Sequence, residues 1–324
     1  MRATLWAGGV VVLIALCVVG VAVGPVPLGL PEVRDALFGV GDTNAVAIVR
    51  AIRLPRLTLA IIVGAALGMA GAALQGSLRN ALAEPYLLGV SGGAAVGAVL
   101  AFGAGLRGAS LIPVFACIGA GASVGAVLLI ARAVGGRADP RVLIMAGVIM
   151  GAFANAVIMV VLANAPPNTV RGAVWWMMGS VADANWVQIR WLAAYVVVGG
   201  AALLLMAREI DVLALGEEPA AALGLDVDRS ARRIYLASSL LAAATVAAAG
   251  LIGFVGLMVP HIVRALGVRR HRALLAGAAL IGAALVVAAD LVARTAMPPA
   301  ELPLGAVTAL LGVPFFLLRI RKLA

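Results

Sequence analysis

Leu57-Thr-Leu-Ala-Ile-Ile-Val-Gly-Ala-Ala-Leu-Gly-Met-Ala-Gly-Ala-Ala-Leu-Gln-Gly-Ser77 runs for 21 residues without one ionisable side chain. At about 1.5 Å per residue it reaches across the roughly 30 Å hydrocarbon core of a bilayer. In lipid only a helix pairs every backbone N–H and C=O within its own segment, so this stretch is read as a helix. Its Gly and Ala residues suit close helix–helix approach. Similar apolar runs lie at roughly 3–24, 86–105, 110–133, 142–163, 187–207, 233–250, 252–268, 273–293 and 303–319, which makes ten spans. The expected fold is therefore an all-α polytopic membrane protein, a single domain over 1–324 with about ten transmembrane helices.

Composition agrees. Of 324 residues, 64% are hydrophobic and 12% charged, with a mean hydropathy of +1.13, more apolar surface than a soluble chain could cover. The net charge of +10 does not indicate nucleic acid, because the basic residues form no long run and sit between apolar spans. Cys17 and Cys117 fall inside spans, so neither a disulfide framework nor a metal site is indicated. The sole lysine is Lys322, which rules out a GxxxxGK[ST] phosphate loop upstream and with it an ATPase domain in this chain. Met1–Gly24 also has a signal-peptide pattern, with Arg2 at its start and Ala22-Val23-Gly24 as a small-residue site, but its length favours an uncleaved first helix.

Arginine placement sets an orientation. With the N-terminus inside, Arg2, Arg79, Arg132, Arg137, Arg141, Arg208, Arg229, Arg232, Arg233, Arg264, Arg269, Arg270, Arg272, Arg319, Arg321 and Lys322 fall on the cytoplasmic side. Arg34, Arg50, Arg53, Arg56, Arg107, Arg171, Arg190 and Arg294 fall outside. This excess predicts an even number of spans with both termini cytoplasmic.

Three connections exceed turn length. The segment 25–56 contains an expected short helix, Pro31–Phe38, opened by proline and followed by Gly39. The segment 164–186 holds Trp175, Trp176 and Trp186, placed as interfacial anchors. The cytoplasmic segment 208–233 contains Glu217-Glu218-Pro219-Ala220-Ala221-Ala222-Leu223-Gly224, acidic at its start, alanine-rich and stopped by glycine, as a short helix would be. Such a helix either lies on its own bundle or docks into a groove on a soluble partner.

Four further stretches are more specific. They are Gln75-Gly-Ser-Leu-Arg-Asn80-Ala-Leu-Ala-Glu-Pro85-Tyr-Leu-Leu-Gly-Val-Ser91-Gly-Gly-Ala; Gly253-Phe-Val-Gly-Leu-Met-Val-Pro260-His261-Ile-Val-Arg264; Asp290 to Arg294 with Glu301-Leu-Pro303-Leu-Gly305 and Gly312-Val-Pro314-Phe315; and Trp176-Met-Met-Gly179-Ser180 with Trp186. Together, and in their order along the chain, they resemble the FecCD-like permeases, the transmembrane subunits of type II ABC importers for ferric siderophores, haem and cobalamin. Asn80-Ala81-Leu82-Ala83 departs slightly from the family's Asn-Pro-Leu-Ala.

The resemblance implies a homodimer of ten-helix subunits in the bacterial inner membrane. It also implies two ATP-binding cassette ATPase subunits below and a periplasmic or lipid-anchored substrate-binding protein above. ATP and Mg would be used by the partner ATPase, with no cofactor or metal on this chain, which would not itself be an enzyme. The segment of about 215–225 would be the coupling helix, through Glu217, Glu218, Ala221, Leu223 and Gly224. Arg53, Arg56 and Arg294 would dock the binding protein. Read as residues alone, these three could instead snorkel to lipid phosphates or anchor helix ends, and Asp290 and Arg294, four apart, could pair. Gly147, Gly151 and Asn155 share a helix face. The resemblance makes that face a wall of the translocation path, with Arg171 near its entrance, while a packing seam is the alternative. His261 reads as structural, and Gln75, Asn80 and Ser91 are expected to satisfy backbone groups freed around Pro85. The implied cargo is an iron chelate, siderophore or haem. Cobalamin is the alternative, towards which Trp176-Met-Met-Gly179 leans. From another class, an ion-coupled secondary transporter is the competing reading.

Overall fold

The computed structural model describes residues 2–106, 111–135 and 140–320; Arg107, Arg137, Arg321 and Lys322 of the charge map lie outside the described residues. The described chain is helical, without a strand. In order it forms α1 (Arg2–Ala22), α2 (Leu30–Phe38), α3 (Thr43–Ala47), a π-turn (Ile48–Arg53) running directly into α4 (Leu54–Ser77), and a 3₁₀ turn (Pro85–Leu88). There follow α5 (Val90–Gly103), α6 (Leu111–Gly135), α7 (Pro140–Ala163), α8 (Pro167–Met177), α9 (Trp186–Leu205), α10 (Ala207–Leu213) and α11 (Glu217–Ala222). The chain closes with α12 (Val227–Ala249), α13 (Val255–Ala265), α14 (His271–Thr295) and α15 (Leu304–Ile320).

Each expected span has its helix: α1, α4 to α7, α9, and α12 to α15. Five described helices, the α3–α4 run and α6, α7, α9 and α14, are long and apolar enough to cross a membrane unaided. The eighth span is corrected. Instead of a continuous helix over 252–268 there is irregular backbone at 250–254 followed by α13, whose 11 residues cover only about 17 Å. Gly250 (φ 70°) and Phe254 (φ 67°) both adopt left-handed backbone there, which ends α12 and delays the next helix. The short helix expected at Pro31–Phe38 is present as α2, closed by Gly39 at φ 77°. In the segment 164–186 the structure adds α8, which the aromatic residues did not announce.

α4 is the axis of the bundle. Most of its apolar window is buried (78%), against 17% for α7, so α7 belongs to the periphery of the single chain. Two close approaches join α4 to α14: a methyl group at Gly64 would collide with the Gly282 carbonyl, and one at Gly68 with the Ala278 carbonyl. With no side-chain layer between the backbones, van der Waals contact carries the joint, as in membrane helix pairs. Gly93, Gly97 and Gly119 create the same kind of joint between α5 and α6.

The connections gather on two opposite faces. One, the α11 face, is tied by Arg79–Glu217 (3.3 Å), Arg233–Glu209 (3.1 Å) and His271–Asp211 (2.7 Å). The other, the α8 face, is tied by the Trp186 indole donating to the Arg50 carbonyl (3.2 Å) and by Leu304 N–H donating to the Gly179 carbonyl (3.1 Å).

Candidate functional site

The first two family-like stretches, far apart in sequence, are fastened to each other. Pro260 lies inside α13 and has no N–H for the carbonyl four residues earlier, that of Gly256. The Gln75 amide supplies the missing donor, reaching the Gly256 and Leu257 carbonyls (3.4 and 3.0 Å). Its oxygen accepts from Arg264 (2.6 Å), so one buried side chain holds both ends of α13. Gln75 therefore serves the carbonyl freed by Pro260, not groups around Pro85 as expected. The backbones touch at this level too, since a methyl group at Gly71 would run into Gly256.

The irregular 250–254 segment is served from the same side. The Tyr86 hydroxyl lies 3.2 Å from both the N–H and the C=O of Ile252, and the Glu84 carboxylate accepts from Phe254 N–H (2.9 Å). The Phe254 ring covers Gly312 of α15. Non-helical backbone at membrane depth persists only where protein groups satisfy it, and Glu84 and Tyr86 do this. Sequence reasoning missed both, although a Gly-rich break four residues before a helical segment, paired with polar residues beside Pro85, was the available signal. His261 Nε2 sits 2.8 Å from the Ala81 carbonyl, with its ring edge-on to Phe316. Asn80 accepts from Leu82 N–H (2.9 Å), a local turn bond.

Gln75→Leu is expected to cost about 1–3 kcal/mol by stranding these acceptors. Pro260→Ala restores the helix's own N–H, so the double variant should lose less than the sum of the two single changes. Thermal unfolding of the four proteins in detergent checks this; strict additivity would show that Gln75 and Pro260 act independently.

On the α8 face the arginines expected to dock a binding protein are turned inward. Arg53, Arg56 and Arg294 are 4%, 8% and 7% exposed. Arg53 donates to the carbonyls of Val21 (2.6 Å), Ala22 (2.9 Å) and Val26, so it caps the end of α1. Arg56 grips two carboxylates, Asp290 (2.8 Å) and Glu301 (2.7 Å), each through two nitrogens. Arg294 donates to the Gly20 carbonyl (2.6 Å) and lies 3.6 Å from Asp290. These contacts bind α1, α4, α14 and the start of α15 into one corner. In the single chain the three guanidiniums are anchors rather than open docking contacts. The exposed edge of the cluster is Glu301, whose side chain is 36% accessible.

On the α11 face the expected coupling residues form a short projecting helix. Ala220 is its buried foot, while Glu217, Glu218, Ala221 and Gly224 are exposed. Leu215 (63%) and Leu223 (66%) present apolar surface beside these charges. A methyl group at Gly224 would meet nothing. Glu217 is tied to Arg79, in the connection that follows Gln75, so the projection shares its base with the fastened region.

The expected path residues separate. Gly147 is buried where a side chain would strike the Leu87 carbonyl, so it belongs to a packing seam between α7 and the 3₁₀ turn. Gly151 has open space beside it and Asn155 is exposed, on a face of α7 that also carries Val148 (57%) and Met159 (71%). Arg171 on α8 is exposed. Among the described residues no group of His, Cys, Asp and Glu could hold a metal.

Comparison with known proteins decides the family. The model of the FecCD transport family matches residues 12–322. The chain belongs to the FecCD transport family. Its relatives in that family are membrane permeases, not enzymes. The cobalamin import system permease BtuC of Halobacterium salinarum is 39% identical over 284 residues, 88% of this chain and 76% of that one. The hemin transport system permease HmuU of Yersinia pestis is 39% identical over 82% of this chain and 80% of its own. The Fe(3+)-citrate import system permease YfmE of Bacillus subtilis is 34% identical over 95% and 91%. A solved structure described as an inward-facing conformation of a metal-chelate type ABC transporter superposes with a TM-score of 0.88, 29% identity and 99% coverage of both chains. This FecCD protein is thus an integral membrane permease of the ABC import type with the type II fold, as its residues led us to expect.

Proposed function

We propose that this FecCD protein is the permease half of an ATP-driven importer carrying an iron chelate, a siderophore or haem, from a binding protein into the cytoplasm. The observation that carries the reading is α11: apolar Leu215 and Leu223 stand exposed beside acidic Glu217 and Glu218, on a base fastened to α4. A small amphipathic projection fits a groove on a soluble partner, here two ATPase subunits that would bind ATP and Mg. The α11 face and both termini are then cytoplasmic in the bacterial inner membrane, a reading that the arginine bias supports, and the α8 face receives the binding protein.

Closure of the ATPase pair would push α11, and the Arg79 link would pass that displacement to the connection beside Gln75 and so to α13. A second copy of the chain would complete the path. Asn155 is a polar side chain costly to leave in lipid, and the sparse cover of α7 leaves room for a partner copy against Gly151. Arg171 would face the path entrance and attract an anionic chelate. The relatives include cobalamin, hemin and Fe(3+)-citrate permeases, so cobalamin is the alternative cargo. An ion-coupled carrier is less well supported. Of the carboxylates at membrane depth, Asp290 is already held by Arg56 and Arg294, and Glu84 accepts from the Phe254 N–H.

The test is uptake into proteoliposomes containing this chain, its ATPase and its binding protein, with haem, a ferric siderophore and cobalamin offered in parallel. One ligand should accumulate only with ATP. Glu217→Arg/Glu218→Arg should cut that uptake at least about tenfold, the effect of losing roughly 1.4 kcal/mol of coupling. Accumulation driven by a proton gradient without ATP would replace the importer reading with the carrier.

A further inference from the structure

A groove of about 560 Å³ lies on the outside of the bundle, between α1, the corner joining α13 to α14, and the first turns of α14. Gly8 leaves it open, whereas at Gly9 and Gly277 the side chains of Leu280 and Val263 already fill the space, 2.8 Å from where each Cβ would lie. A methyl group at Gly8 would meet nothing within 4 Å, while the Trp6 indole closes over Gly277 at 3.3 Å from where its Cβ would lie. Leu266, Val268, Leu280 and Ile281 make the walls apolar. The volume falls within the range of small-ligand sites, roughly 300–1,000 Å³.

Charge at one end narrows the choice of occupant. Arg269 and Arg270 border the groove, Arg272 follows two residues on in the chain, and all three are exposed. None forms an ion pair among the described residues, and the neighbouring carboxylate, Asp211, is taken by the backbone N–H and ring of His271 (3.0 and 2.7 Å). Beside the groove α1 turns Val10 and Val11 outward (44% and 63% exposed), as a lipid-facing helix does. We infer that the groove is a binding site for one anionic phospholipid, its acyl chain along Gly8 and the apolar walls of Leu266, Leu280 and Ile281 and its phosphate at Arg269 and Arg270. The apolar slot would select a chain, and the unpaired guanidiniums would select net negative charge over a zwitterionic headgroup. The proposal does not depend on the cargo or on ATP.

Native mass spectrometry of the purified full chain, delipidated and titrated with lipid, tests it. Palmitoyl-oleoyl phosphatidylglycerol should bind in preference to the matching phosphatidylcholine. That preference should fall about fivefold for each arginine lost in Arg269→Gln/Arg270→Gln. Gly8→Phe fills the slot and leaves the charges, so it should weaken phosphatidylglycerol binding as well. Should that variant fail to fold, dihexanoyl phosphatidylglycerol on the unaltered chain asks the same question and should be held more weakly. Equal retention of the two headgroups would overturn the proposal. So would binding of glycerol phosphate as strong as that of the full lipid, which would reduce the site to a surface phosphate contact. Loss of a chain dimer in the variants would also overturn it, assigning the groove to a second copy.

Discussion

Arg56→Met is expected to lower the melting temperature of the detergent-solubilised protein by roughly 10 °C, corresponding to about 3–5 kcal/mol. The loss is not that of one attractive pair. Arg56 is the common partner of Asp290 and Glu301, and Asp290 is itself buried (4% exposed). Removing the guanidinium leaves a carboxylate in a low-dielectric corner, with only Arg294 at 3.6 Å to offset it. The triple variant Arg56→Met/Asp290→Leu/Glu301→Leu removes the stranded charges together with their partner, and should recover much of the loss. Arg56→Lys keeps the charge but cannot present a planar fork to two carboxylates, so it should fall between. If Arg56→Met melts with the unaltered protein, the network does not hold this corner.

The second large effect is expected from a single methyl group. Gly71→Ala should yield little or no folded protein, because its Cβ would overlap the Gly256 backbone and a backbone cannot step aside as a flexible side chain can. The Gln75 staple to Gly256 and Leu257, one turn further along α4, would be pulled out of register in the same step. Gly121→Ala and Gly125→Ala are the controls, since a Cβ at either position would meet nothing within 4 Å. Yield of monodisperse protein by size-exclusion chromatography separates the cases. Normal recovery of Gly71→Ala would mean that α13 can shift away from α4 at small cost.

These two sites show what could be read from the chain and what could not. The ten helices were legible because lipid imposes one rule on every span: about 20 apolar residues with all backbone groups paired within. The same rule misled at 252–268, where the apolar run continues but the backbone does not stay helical. Apolarity is felt by lipid, whereas the break is made by Gly250, Phe254 and Pro260 together with Glu84, Tyr86 and Gln75, which lie far away in sequence. The projection at Glu217–Ala222 was visible because its cap, acidic first turn and alanine body are local signals. The inward turn of Arg53, Arg56 and Arg294 was not, since arginine at a helix end looks the same in sequence whether it meets water, a partner or a carbonyl of another helix. Asp290 four residues before Arg294 did hint at pairing, yet the stronger grip on Asp290 comes from Arg56 on another helix. Gly147 and Gly151 share a face by periodicity, but only the fold places Leu87 against the first and open space beside the second.

The unbroken helical run from Thr43 to Ser77 has 35 residues, about 50 Å, well beyond the roughly 30 Å of a hydrocarbon core. Its two tight approaches to α14, at Gly64 and Gly68, are centred near Ala66, which leaves about 35 Å of rod towards Thr43 and about 16 Å towards Ser77. A rod held at that point is a lever with unequal arms. Rotation about the joint would sweep the Thr43 end about twice as far as the Ser77 end. A displacement of a few ångströms on the short arm would then be magnified at the far tip, where the Arg50 carbonyl meets Trp186.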